Sequence, residues 1–237
     1  MRTSLIAPLV LCLATLAGCS SKGLAAPDSL VALEERLREG ESGYEIQWQL
    51  ASSCLDVVDA HPDAANRDRL VYARKALRYA RAAVSREEGR VEGHFYLAIA
   101  LGRVLELEFL PDLDQIGTLE SEAERAREID STYEHAGPLR FLALLYMNAP
   151  PWPIGPELAG EEEEIEALWE EALQLASSWV ENHLGFAEFL AKEDRDAEAL
   201  AHAHEAKALL QSTQGLSPAM REDMRRRIQA LLDDLAS

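Results

Sequence analysis

Apolar residues recur along this chain at intervals of three and four, the spacing that gathers side chains onto one face of an α-helix. Met220, Met224, Ile228, Leu231 and Leu235 show it most cleanly, in a segment that follows Ser217-Pro218. Serine before the first turn and proline within it form a start signal, because the hydroxyl accepts an orphan amide and proline surrenders an N–H that had no partner. Ala199, Ala203, Ala206 and Leu210 keep the same period with alanines in place of bulk. No segment alternates as a half-buried strand must. The fold class predicted is all-α.

The helices also repeat in pairs. His94, Leu97, Ala98 and Leu101 are echoed by His183, Phe186, Ala187 and Leu190, and Leu142, Ala143 and Tyr146 form a third copy. Second helices carry Ala83, Ala126, Ala172 and Ala206. Small residues at these places let paired helices approach closely, as in tetratricopeptide repeats (TPRs) of about 34 residues. The pattern predicts a TPR-like α-solenoid of about four helix pairs, over 44–88, 91–131, 135–177 and 180–212, with a closing helix over 217–236. Such a helix shields the last repeat's apolar face. Connections near 59–68, 108–117 and 149–160 are long and fall on one edge, where loops often bind partners.

Ahead of the repeats, Arg2 precedes an apolar run from Leu5 to Leu16, too short to span a bilayer and of the right length for a signal peptide. It closes on Leu16-Ala17-Gly18-Cys19, which matches the bacterial lipobox. The expected organisation is a signal peptide over 1–18, a lipidated N-terminus, tether and leading helix over 19–43, and the helical domain over 44–237. Cys19 is then the lipidation site. The expected location is the cell envelope, facing the periplasm, on the outer membrane. Cys54 would be the one thiol left in the mature chain, buried and inert among Leu50, Leu55 and Val58.

The formal net charge of −19 excludes nucleic acid as a partner and argues against adsorption to anionic lipid, leaving the lipid anchor as the membrane attachment. A docking protein would offer basic residues, with an association that weakens as salt rises. Enzyme chemistry has no motif behind it: there is no phosphate-cradling glycine loop, no nucleophile elbow and no implied cofactor. Metal binding is equally unsupported, since His202 and His204 diverge on a helix, whereas His94 and His183 occupy equivalent structural slots in two repeats.

The first helix of each pair lines the concave wall of a superhelix of this type. Counted from the small-residue positions, the inward set comprises Phe95, Ile99 and Arg103, then Arg140, Leu144, Met147 and Asn148, then Glu181, Leu184 and Glu188. The two arginines could clamp a carboxylate through the guanidinium fork, or be consumed by internal glutamates such as Glu106, Glu181 or Glu188. Trp152, held between prolines in Ala149-Pro150-Pro151-Trp152-Pro153, either plugs the edge of the solenoid or is presented as an anchor.

The run Tyr133-Glu134-His135-Ala136-Gly137-Pro138-Leu139-Arg140-Phe141-Leu142, followed by Leu145-Tyr146 and Ala149-Pro150, resembles the TRAP transporter T-component lipoproteins. Ala172-Leu173, then Glu181-Asn182-His183-Leu184, extend the likeness, which in architecture covers about residues 44–212. The first repeat is weakly marked by comparison. The resemblance implies a periplasmic, lipid-anchored helical protein, often a homo-oligomer. It would associate with a periplasmic substrate-binding protein and hold a small-molecule ligand, carboxylate or apolar. The alternative is a TPR scaffold lipoprotein joining other envelope proteins during assembly.

Overall fold

The computed structural model describes residues 24–148 and 161–236. Cys19 and Trp152 therefore lie outside the described residues, with the signal segment and the proline-rich connection. The described residues form α1 (Asp28–Arg38), α2 (Tyr44–Ala60), α3 (Asn66–Val84), α4 (Val91–Leu107), α5 (Ile116–Ile129), α6 (Tyr133–Asn148), α7 (Glu162–Leu175), α8 (Val180–Lys192), α9 (Asp196–Ser212) and α10 (Pro218–Asp234). A short 3₁₀ turn, Leu113–Gln115, leads into α5, and no strand occurs among the described residues.

Helices α2 to α9 pack as four consecutive hairpins, each leaning on the next. Alanines make this possible. Ala73, Ala76, Ala80 and Ala83 on α3 and Ala199, Ala203 and Ala206 on α9 are all fully buried, so backbones meet where larger side chains would hold them apart. Gly185 on α8 goes further, with the Trp169 indole of α7 filling the space where its side chain would be. The first hairpin, weakly marked in sequence, is densely packed through Leu50, Cys54 and Val58 against Ala76, Leu77 and Ala80.

Apolar burial continues along the solenoid in successive clusters. Leu139, Leu142, Leu168, Trp169 and Phe189 fill the middle, and Val180, Leu184 and Ala187 meet Met224, Ile228 and Leu232 at the end. The last three come from α10, whose start is capped as expected by Ser217 Oγ accepting from the Met220 amide at 3.1 Å. The buried stripe of α10 is Met224, Ile228 and Leu232, while Met220 is 38% exposed. Beyond covering α8 and α9, α10 touches α2 and thereby crosses the concave side.

The helix boundaries follow the predicted pairs except where α6 begins. Glu134, His135 and Ala136 have φ of 48°, 58° and 64°, a left-handed turn that L-residues adopt at a cost of about 1–2 kcal/mol each. The right-handed helix starts only at Gly137-Pro138, where proline suits an amide-free first turn.

A cavity on the concave face

The first helices of the pairs do face inward. Leu55, Asp56 and Asp59 of α2, Phe95, Tyr96 and Ile99 of α4, and Glu134, Arg140, Phe141 and Leu144 of α6 line a half-open cavity of about 410 Å³. Trp179 and Glu181, and Leu216 and Met220 at the entry to α10, complete its lining. A neighbouring recess of about 470 Å³ separates the end of α2 from α10 and shares Asp59, Glu181 and Met220 with the cavity. The aromatic wall is itself supported, since Phe95 packs on Tyr96 and Tyr133 with ring centroids 5.5 and 5.4 Å apart, and Trp48 stacks on Tyr96. Gly137 makes this arrangement possible, because a side chain there would stand 2.8 Å from Phe95 Cζ.

Arg140 is committed to the protein. Its Nη1 donates to the His135 carbonyl at 3.1 Å and to Asn182 Oδ1 at 2.9 Å, and its Nε lies 3.4 Å from Glu181 Oε2. Asn182, fully buried, donates through Nδ2 to the carbonyls of His135, Ala172 and Ala176. The left-handed turn turns the Glu134 and His135 carbonyls toward these donors, which offsets its backbone cost. Burial lowers the Arg140 pKa, with Glu181 and then Glu134 opposing it. Arg103 is likewise paired, to Asp59 at 3.1 Å and Glu106 at 2.8 Å. The carboxylate clamp is thus filled from within the chain.

The uncommitted charge in the cavity is negative. Asp56 is open to the cavity yet walled by protein, and its pKa is raised by that burial and then by the neighbouring charges of Asp59 and Glu134. No cation lies within ion-pairing distance of Asp56 among the described residues. Asp59 is raised chiefly by burial, with Arg103 acting in the opposite direction. Carboxylates beside aromatic faces suit a cationic group, which gains from both.

Five inward candidates, Phe95, Ile99, Arg140, Leu144 and Glu181, meet at this cavity. Met147 and Asn148 line a separate shallow recess of about 350 Å³ with Leu144, Glu188, Lys192 and Leu231. Arg103 lines neither cavity wall and is tied to the carboxylates of α2 and α4. Leu184 departs from its expected inward exposure: α10 lies over that part of α8, leaving Leu184 fully buried. Tyr96, Phe141, Trp179 and the Asp56–Asp59 pair escaped the sequence reading. The aspartates share a helix face at i, i+3, but only the repeat register of α2 could have placed that face inward.

The two histidine slots are geometrically alike. His94 Nε2 meets the Glu88 carbonyl at 2.7 Å and His183 Nε2 meets the Ser177 carbonyl at 2.9 Å. Each Nδ1 then engages the second helix of its pair, Glu122 at 2.6 Å and His202 Nδ1 at 3.0 Å. Burial pushes the Cys54 thiol up to about 12. No group of three or more metal-ligating side chains occurs among the described residues.

Helix hairpins stacked around a concave side define the class, an α-solenoid of paired helices. Solved structures share it. A thermophilic TPR protein of Thermus thermophilus, TTC0263, superposes with a TM-score of 0.61 at 21% identity, covering 86% of this chain and 88% of that chain. MamA superposes with a TM-score of 0.51 at 13% identity, covering 77% and 87%. No protein-family model matches the sequence, nor does any curated protein. The fold is that of a TPR-like α-solenoid.

Proposed function

We propose that this chain is a lipid-anchored, periplasm-facing binding protein of the outer membrane, an accessory subunit of TRAP-type solute uptake similar to the T-component lipoproteins. Its concave cavity would receive a ligand or dock the substrate-binding protein. One observation carries the reading: a cavity lined by Phe95, Tyr96, Phe141, Trp179, Leu216 and Met220, with Asp56 as a charge that has no cation partner among the described residues. It favours a binder over a catalyst, because Arg140 and Asn182 are consumed in holding the wall together. It also revises the ligand class. A carboxylate entering here would meet Asp56 and Asp59 without a free guanidinium, whereas an apolar molecule or a basic side chain of a docking protein fits.

The test is crosslinking and recovery of the acylated chain from envelope membranes, with mass spectrometry of bound proteins and small molecules, beside an Asp56→Lys variant. Recovery of a TRAP substrate-binding protein, weakened by salt and lost with Asp56→Lys, is the expected result. Recovery indifferent to Asp56→Lys removes the cavity from the role.

A second reading, a scaffold for envelope assembly, draws on the connection between α4 and α5. Phe109 and Leu110 are 96% and 82% exposed there, on the edge expected to carry binding loops. Crosslinks that run from this edge to assembly proteins would select it.

A further inference from the structure

The acidity of the chain is not evenly spread. Helix α3 carries six of the 23 basic residues and one of the 42 acidic ones. Arg67, Val71, Arg74, Arg78 and Arg81 are all exposed, at steps of 4, 3, 4 and 3. Those steps align them as one stripe on the outward side of the helix, about 21 Å long at 1.5 Å per residue. Arg67, Leu70, Val71, Arg74, Lys75 and Arg78 frame a shallow groove that no other helix enters. Arg74 is bound to Glu108 at 2.7 Å, but Arg78 rests on the Tyr79 ring and neither it nor Arg81 has a carboxylate partner among the described residues. Val71, 54% exposed in the middle of the stripe, is an apolar group with nothing over it.

The position of the stripe gives it an occupant. The first described residue, Leu24, is held to α3, its carbonyl accepting from Tyr72 Oη at 3.1 Å. On the same flank α1 is fastened to α3 by Lys75 and Glu34 at 2.8 Å. Cys19 is five residues before Leu24, and five residues reach at most about 18 Å. An acyl group on Cys19 therefore keeps α3 within a short distance of the bilayer surface, and α3 is the helix whose outward charge is positive. Arginine forks match lipid phosphates, and a basic patch beside a lipid chain is the combination that makes membrane attachment stable.

We propose that the Arg67–Arg81 stripe of α3 lies against the anionic phospholipid surface, orienting the anchored solenoid. This rests on reading Cys19 as acylated. The net charge of −19 opposes adsorption of the chain as a whole; a local stripe near the anchor acts within a screening length of about 8 Å and is governed by its own sign.

The full acylated chain, reconstituted into vesicles of phosphatidylglycerol or of phosphatidylcholine, tests this. A fluorophore on Val71→Cys is compared with one on Ala201→Cys, an exposed site of α9, using a quencher attached to lipid headgroups; Cys54 is buried and stays unlabelled. The expected result is several-fold stronger quenching at position 71 on phosphatidylglycerol, falling to the position 201 level in high salt and in an R74Q/R78Q/R81Q variant. Equal quenching at the two positions, or quenching indifferent to the arginines, overturns the proposal. Energy transfer between labelled copies without vesicles, lost in the triple variant, would give the stripe to the acidic surface of a second copy and also overturn it. If mass spectrometry finds Cys19 unmodified, the anchor reading fails separately. Flotation of the full chain then decides the stripe, with arginine-dependent binding to phosphatidylglycerol keeping it and no binding refuting it.

Discussion

Arg140 of α6 and Asn182 of α8 are joined by a 2.9 Å hydrogen bond, and both also bond the His135 carbonyl. The left-handed turn at Glu134–Ala136 and the junction between the third and fourth hairpins share one polar knot. Asn182→Ala removes a fully buried amide that donates to the carbonyls of His135, Ala172 and Ala176 and accepts from Arg140, and the expected loss is about 1–3 kcal/mol by urea denaturation. Combined with Arg140→Ala, the losses should be non-additive by about 1 kcal/mol or more. Additive losses would mean that the knot is not a unit.

Gly185→Ala should be among the most damaging small substitutions in the chain. The new methyl would sit 2.7 Å from Trp169 Cζ2 and nearer still to Cη2, and Trp169 is fully buried with nowhere to turn. Overpacking costs about 1–3 kcal/mol, occasionally more, and a contact this short against a fully buried ring falls at the upper end, above the roughly 1 kcal/mol gained in helix propensity. A thermal midpoint equal to that of the unaltered chain would contradict this packing.

These two cases mark what the sequence makes legible. Alanine spacing announces the hairpins, because close approach has few chemical solutions, and 180–212 is read to the residue as α8 and α9. The pairing of Arg103 with Glu106 and of Arg140 with Glu181 was among the alternatives named from sequence, since charges one turn apart or in adjacent repeats have few other places to go. The left-handed turn was not legible: Glu134-His135-Ala136 contains no glycine, and its conformation follows from the tertiary bonds of Arg140 and Asn182. Nor was the burial of Leu184, which depends on α10 folding back over α8.

Stability should decline on mild acidification through His202. Its pKa is lowered by burial and then by His183, while Glu198 and Glu205 act in the opposite direction. The folded chain therefore resists a proton that the unfolded chain accepts near pH 6.5, so this contribution is intact above about 6.5 and lost as pH falls toward the lowered value. His94 has the opposite sign: Glu122 raises its pKa, and its contribution is full below about 6.5 and lost as pH rises through the raised value. Thermal midpoints measured against pH for His202→Gln should lack the acid-side loss and keep the His94 trend. An unchanged acid side would contradict the assignment.

Asp56→Asn should stabilise the chain at neutral pH. The folded-state pKa is raised by burial, Asp59 and Glu134, so the ionised form is disfavoured above that value and relieved as pH falls through it. The advantage of Asn should therefore be present at neutral pH and disappear under acid conditions. Basic partners should bind the variant more weakly under the same neutral conditions, measured by titration calorimetry. A variant less stable than the parent at neutral pH would mean that Asp56 has a cation partner.

Met224 and Met220, one turn apart on α10, should separate fold from site. Met224 is 2% exposed between Val180, Leu184 and Ala206, so Met224→Ala removes buried contacts at a cost of about 2–5 kcal/mol. Met220 is 38% exposed and lines both the cavity and the recess beside it, so Met220→Ala should change stability by less than about 1 kcal/mol. Its effect should fall on whatever occupies the cavity, because Met220 lines it. Denaturation and ligand or partner titration of the two variants give the split. A Met220→Ala variant that binds as the parent does would place the occupant elsewhere on the concave face.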